Sequence, residues 1–108
     1  MSRKPAIRTD DVFRALADPV RRSLLVQLNR APQPVEKLAA QYGISRPAIS
    51  RHLGVLRDCG VVASRPQGKE NVYYLIPTPM REVQDWLAQF WASRLADLKS
   101  LAESGDPQ

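Results

Sequence analysis

One cysteine and one histidine in 108 residues exclude two kinds of chemistry at once. A single thiol cannot staple a fold, and one thiol with one imidazole falls short of a usual zinc ligand set. The five glycines form no phosphate-cradling loop, and no base-and-nucleophile pair can be nominated, so the chain reads as a non-enzyme without cofactor or metal. Long apolar runs are missing too. The longest is Val72–Ile76, against the roughly 20 residues of a membrane helix. Met1-Ser2-Arg3-Lys4-Pro5 is basic, but Arg8, Asp10 and Asp11 stand where a signal peptide would carry its apolar core. The expected location is the cytoplasm, with no membrane partner.

Acidic side chains are the other scarcity. Eleven Asp and Glu face sixteen Lys and Arg, for a net charge of +5 and a pI near 9.9. The excess is segregated. Residues 1–30 carry seven basic and three acidic side chains and residues 43–71 five and two, whereas residues 72–108 carry three and five. Positive charge gathered in two-thirds of one small domain points to a polyanionic partner. At 44% hydrophobic and 25% charged, the composition is otherwise that of one ordinary globular domain. A chain this size buries only roughly 60–65% of its unfolded surface, so an interface with a second copy adds stability.

Residues 1–8 and 104–108 read as flexible ends around one domain spanning 9–103. Thr9 or Asp10 can cap a first helix with Val12, Phe13 and Leu16 on its apolar face. Asp18-Pro19 pairs a good N-cap with a residue preorganised for the first helical position. Val20, Leu24, Leu25 and Leu28 then recur at helical spacing until Ala31-Pro32-Gln33-Pro34 stops the run. A third helix is expected from Val35 to about Tyr42, with Val35, Leu38 and Ala39 inward and Gly43 in a left-handed terminal position. Ser45, or Arg46 one residue on, caps a fourth helix that reaches about Cys59 and ends at Gly60. Val61–Arg65 and Asn71–Ile76 are β-branched and aromatic and flank a polar tip, the pattern of a two-stranded hairpin. Thr78-Pro79 repeats the cap-then-proline start and opens a last helix to about Glu103. The fold class is mainly α with a small hairpin, in the order α-α-α-α-β-β-α.

The third and fourth helices are joined by Tyr42-Gly43-Ile44-Ser45, the sequence form of a helix-turn-helix. At about 100° per residue, Ile49, Leu53 and Leu56 form one narrow stripe, while Pro47, Ser50, Arg51, Gly54, Arg57 and Asp58 fall on the other side. The free face at the helix start is therefore small, polar and basic: Arg46, Pro47, Ser50 and Arg51. Small residues let a helix approach base edges, and Arg pairs with guanine or phosphate. Ser45 adds a hydroxyl at the positive end of the helix dipole, suited to a phosphate oxygen. Around Gly68, the donors Arg65, Gln67, Lys69 and Asn71 suit a wing lying over phosphates or the minor groove. Arg21 and Arg22 are further candidates for contact with the DNA backbone.

The string Val12-Phe13-Arg14-Ala15-Leu16-Ala17-Asp18-Pro19-Val20-Arg21-Arg22 resembles the opening of the ArsR/SmtB-type winged-helix transcriptional repressors. Ile44-Ser45-Arg46-Pro47-Ala48-Ile49-Ser50-Arg51-His52-Leu53-Gly54-Val55-Leu56-Arg57-Asp58-Cys59-Gly60-Val61-Val62 is similar to their recognition helix. The stretch from Arg65 to Leu75, with Gly68 and Tyr74, is similar to their wing. The likeness runs over residues 9–103. It implies a winged helix-turn-helix homodimer, joined through the first and last helices, that binds an inverted-repeat operator in double-stranded DNA and blocks transcription. Base contacts would fall on Arg46, Pro47, Ser50 and Arg51. The protein would then be nucleoid-associated when bound.

The last helix supports the dimer independently. Trp86, Phe90 and Trp91 fall within six residues of a chain with only seven aromatics. That stripe offers more apolar area than one packing partner covers, and Phe13, Leu87 and Leu98 complete the expected interface. Two-fold symmetry would set the recognition helices about 34 Å apart, one turn of DNA.

The chain departs from the metal-sensing relatives. The third helix, Val35-Glu36-Lys37-Leu38-Ala39-Ala40-Gln41-Tyr42, lacks their Cys-x-Cys, and the last helix has no histidine. Cys59, at a helix C-terminus, reads as a small buried hydrophobe, because activated thiolates favour helix N-termini. His52 reads as an oriented structural or phosphate-adjacent side chain. No motif points to a small-molecule effector. The alternative function is a winged-helix module for protein–protein contact without DNA.

Overall fold

The caps and breaks along the chain divide it into short helices around one core. The computed structural model describes residues 9–104. The expected loose ends lie outside these residues, except Ser104, which belongs to the last helix. The order is α1 (Thr9–Leu16), α2 (Pro19–Arg30), β1 (Gln33–Pro34), α3 (Val35–Ala40), α4 (Arg46–Asp58), β2 (Val62–Gln67), β3 (Glu70–Leu75), a 3-10 turn (Thr78–Met80) and α5 (Arg81–Ser104).

Asp18 caps α2 through one carboxylate oxygen, which accepts from the backbone N–H groups of Val20 and Arg21 at 2.8 and 3.1 Å. The Arg21 N–H chiefly, with that of Val20, holds the Asp18 carboxyl below the ordinary carboxylate range, although partial desolvation works the other way. A lowered folded-state value means this stabilisation is present above about pH 4, the unfolded value, and lost as pH falls through the folded one. Asp18→Asn keeps an acceptor but removes the titration. Its melting temperature is expected to fall less than wild type between pH 5 and pH 3, as read by circular dichroism.

Ser45 rather than Arg46 caps α4, its Oγ accepting from the Ala48 N–H at 3.2 Å. The other end of α4 closes on a left-handed Gly60, with φ of 82°. There the Gly60 N–H donates to the Arg57 carbonyl at 2.9 Å and the Val61 N–H to the Leu56 carbonyl at 3.1 Å. This paired closure satisfies orphan carbonyls and sets Val61 against Leu56, both fully buried.

Three expectations at helix ends need correction. Gly43 has no left-handed φ; α3 ends at Ala40 and tightens instead through bonds from Gln41 to Leu38 and from Tyr42 to Ala39. Thr9 and Asp10 lie inside α1 rather than capping it, and the Thr9 hydroxyl donates to the Glu82 carboxylate of α5. Thr78 sits within the 3-10 turn, too late in the chain to cap it, and α5 proper starts at Arg81.

The hairpin has a third strand beside it. β3 pairs antiparallel with β2 on one side and with β1 on the other. β1 is only Gln33-Pro34, opposite Tyr73 and Val72. Proline survives there because an edge strand need not donate on its outer side. Gln33 is buried and fully used, donating to the Gln27 carbonyl at 3.1 Å and accepting from the Gln41 amide at 2.9 Å. At the tip, Gln67 faces Glu70 across the two-residue turn Gly68-Lys69. Gly68 has φ of 63° and Lys69 no positive φ, the type II′ pattern that demands glycine first.

Leu24, Leu38, Ile49, Leu53 and Leu56 are fully enclosed in one cluster drawn from α2, α3 and α4. Each such side chain contributes about 1.5–3 kcal/mol relative to exposure. The expected stripe of α4 is thus its packed face, and the same phasing turns Arg46, Pro47, Ser50 and Arg51 outward.

Candidate nucleic-acid interface

Two elements converge on one side of the molecule. The first turns of α4 present Arg46, Pro47, Ser50 and Arg51, all exposed, and the β2–β3 hairpin stands beside them. Between the two lies a polar groove of about 180 Å³, lined by Arg46 and Ser50 from α4 and by Lys69, Glu70, Asn71 and Tyr73 from the wing. Glu36 of α3 completes its wall, 3.7 Å from the Arg46 guanidinium. Arg46, Ser50, Lys69 and Asn71 are therefore brought together. Arg51 and Pro47 lie on the adjoining surface of α4.

Strand register divides the wing residues. Arg65 is opposite Val72 and Pro66 opposite Asn71, so Arg65 and Gln67 share one face of the ribbon while Asn71 lies on the other. The Arg65 guanidinium sits 5.3 Å from the centre of the Tyr74 ring. That cation–π contact lays the exposed Arg65 along the sheet.

Arg21 and Arg22 do not join this surface. Arg21 is half-buried: its Nε donates to the Ala15 carbonyl at 2.7 Å and one Nη to the Arg14 carbonyl at 3.1 Å. The other Nη meets Nδ1 of His52 at 3.3 Å. Arg22 donates to the Leu16 carbonyl at 2.8 Å. Both residues donate to carbonyls at the end of α1, where α1 stops and α2 turns away. Arg21 was expected to reach the DNA backbone, and three of its five N–H donors are engaged within the fold.

A second surface runs along α5. Val83 is its buried residue, whereas Trp86, Leu87, Phe90, Trp91, Leu95, Leu98 and Leu101 are 44–67% exposed. Phe13 of α1 meets Trp86 edge-on at 5.5 Å, and Trp86 meets Phe90 at 4.9 Å. The expected interface residues thus form one apolar strip along α1 and α5, exposed over most of its length.

The chain matches the family described as bacterial regulatory protein, arsR family, over residues 18–64, the span from α2 into the wing. It is 38% identical to the HTH-type transcriptional regulator Rv2034 of Mycobacterium tuberculosis, over 88% of this chain and 89% of that protein. The chain belongs to the ArsR family. It is 31% identical to the transcriptional repressor SdpR of Bacillus subtilis, over 75% of this chain and 90% of that protein. An ArsR-like transcriptional regulator from Rhodococcus sp. RHA1 has the same fold, with a TM-score of 0.70 and 37% identity over 88% of this chain and 90% of that one. So has the homodimeric winged helix-turn-helix DNA-binding domain of a possible ArsR-family regulator from Mycobacterium bovis, at a TM-score of 0.63 and 27% identity over 78% and 77% of the two chains. Membership makes the protein a DNA-binding transcriptional regulator, not an enzyme, and nothing favours the protein-contact alternative.

Within this ArsR-family chain the two singular residues are structural. Cys59 is buried, its thiol donating to the Leu56 carbonyl at 3.4 Å, and burial pushes that thiol up from its ordinary value. His52 is half-buried and accepts from Arg21, which orients its ring. Among the described residues, no three His, Cys, Asp or Glu side chains are grouped to hold a metal ion, and no helix is long and apolar enough to cross a membrane. Glu36, Glu70 and Tyr73 are groove residues that the reading of the chain overlooked. No sequence signal marks Glu36 or Tyr73, because the α3–α4 turn and the pairing of β1 with β3 bring them there.

Proposed function

We propose that this ArsR-family regulator acts as a homodimeric repressor on an inverted-repeat operator. In this reading α4 enters the major groove, with Arg46, Pro47, Ser50 and Arg51 toward base edges and the Ser45 hydroxyl toward a phosphate. Lys69, Gln67, Asn71 and Arg65 of the wing follow the flanking backbone. Arg22, still exposed, is left as a lesser candidate for that role. The observation that carries the reading is the convergence of recognition helix and wing around one polar groove. The dimer is supported by the exposed strip on α1 and α5, and repression by the likeness to a protein named a repressor. The regulator works in the cytoplasm and is held on the nucleoid while bound.

The test compares Arg51→Ala with Lys69→Ala on a duplex selected by the wild-type protein from a random pool. Loss of a base-reading Arg is expected to cost about tenfold or more on the selected duplex and little on scrambled DNA. Loss of the wing Lys is expected to weaken both alike and to reduce the salt slope by about one counterion. Equal losses on both duplexes in both variants would refute the division.

A further inference from the structure

The groove between α4 and the wing holds an ion pair that DNA binding as described does not use. Glu36, in the first turn of α3, lies 3.7 Å from Arg46, and the two side chains are 61% and 60% exposed. Among the described residues it is the one carboxylate in ion-pair contact with the base-reading set. Glu36 makes no other polar side-chain contact there, and α3 is held by Val35 and Leu38 rather than by it.

We infer that Glu36 is a specificity-determining residue of the DNA interface: it aims Arg46 along the groove and makes duplexes that cannot engage Arg46 costly to bind. This rests on the DNA-binding reading above. A free guanidinium beside any duplex finds phosphate first, and phosphate carries no sequence information. A carboxylate already paired with Arg46 competes with that contact. The guanidinium has five N–H donors, so it can keep one contact to Glu36 while two others meet N7 and O6 of a guanine. On a sequence without that guanine, the complex retains a carboxylate near phosphates with nothing to offset the repulsion. Discrimination is a difference of affinities, and a repulsive element raises it as well as an attractive one. Glu70 lines the same groove from the wing but makes no ion pair with Arg46, so it supplies the same charge without the same aim.

The test measures binding to the selected duplex and to a scrambled duplex of equal length across a salt series, by fluorescence anisotropy. Glu36→Gln is expected to raise affinity for the scrambled duplex by about two- to fivefold, the scale of one exposed charge pair. It should leave affinity for the selected duplex unchanged or lower. Glu70→Gln should raise both affinities by the same factor. In an Arg46→Ala background, Glu36→Gln should lose its selective effect. The inference fails alone if Glu36→Gln raises both affinities equally, as Glu70→Gln does, or moves neither. Wild-type protein that selects no duplex overturns the DNA-binding reading and this inference with it.

Discussion

Leu98→Asp is expected to leave the protein monomeric at micromolar concentration and to lower operator affinity by at least about a hundredfold. The side chain stands 61% exposed on the α5 strip, between Trp91 and Leu101 on the same side of the helix. In a two-fold interface one substitution acts twice, once in each copy. Each aspartate would be drawn into an apolar contact without a partner, at a cost of several kcal/mol per charge. The chain's own core is untouched, because α5 contributes Val83 to it and not Leu98. Circular dichroism should therefore report a folded protein whose sedimentation coefficient has dropped. The loss on DNA follows from two recognition helices ceasing to be linked, since binding the second half-site is then no longer intramolecular. A Leu98→Asp protein that still sediments as a dimer would place the interface elsewhere.

Arg21→Ala is expected to destabilise the fold by about 2–3 kcal/mol, on the scale of a hydrogen-bonded charged group, while leaving the salt slope of DNA binding unchanged. Its guanidinium serves two carbonyls at the end of α1 and meets His52 on α4. Alanine leaves the Ala15 carbonyl short of a donor in a part-buried place, while the Arg14 carbonyl keeps the Ala17 N–H. Thermal unfolding reads the first effect, and anisotropy across a salt series, well below the new melting point, reads the second. A slope smaller by about one counterion with little change in stability would return Arg21 to the phosphate-binding set. Arg21→Lys should recover little, because an ammonium cannot span the three acceptors in one plane.

Local chemistry explains which features could be read along the chain. Asp18-Pro19 and Ser45 are caps wherever they fall, because their geometry is satisfied by neighbours two and three residues away. The stripe of Ile49, Leu53 and Leu56 needed only helical periodicity, and the wing only alternation around Gly68. Left-handed closure was expected at Gly43 and occurs instead at Gly60, which was read only as the end of α4; a glycine permits that conformation without requiring it. β1 was not legible, since two residues flanked by proline become a strand only because Tyr73 and Val72 lie alongside. The same holds within the interface. Arg21 and Arg46 are both arginines near a helix start, yet one is spent on carbonyls and the other faces the groove. That difference exists only once α1 and α3 are packed in place.

The closure at Gly60 has a consequence for how helix and wing are held together. Val61 takes the Leu56 carbonyl of α4 with its N–H and gives its own carbonyl to the Ile76 N–H at 2.8 Å, just past β3. One residue thus fastens the end of the recognition helix to both strands of the wing. Helix and wing are tied to each other by backbone hydrogen bonds as well as by the chain itself. In a homodimer joined through α1 and α5, the spacing of two such helix-and-wing units would be set away from the surface proposed to meet DNA.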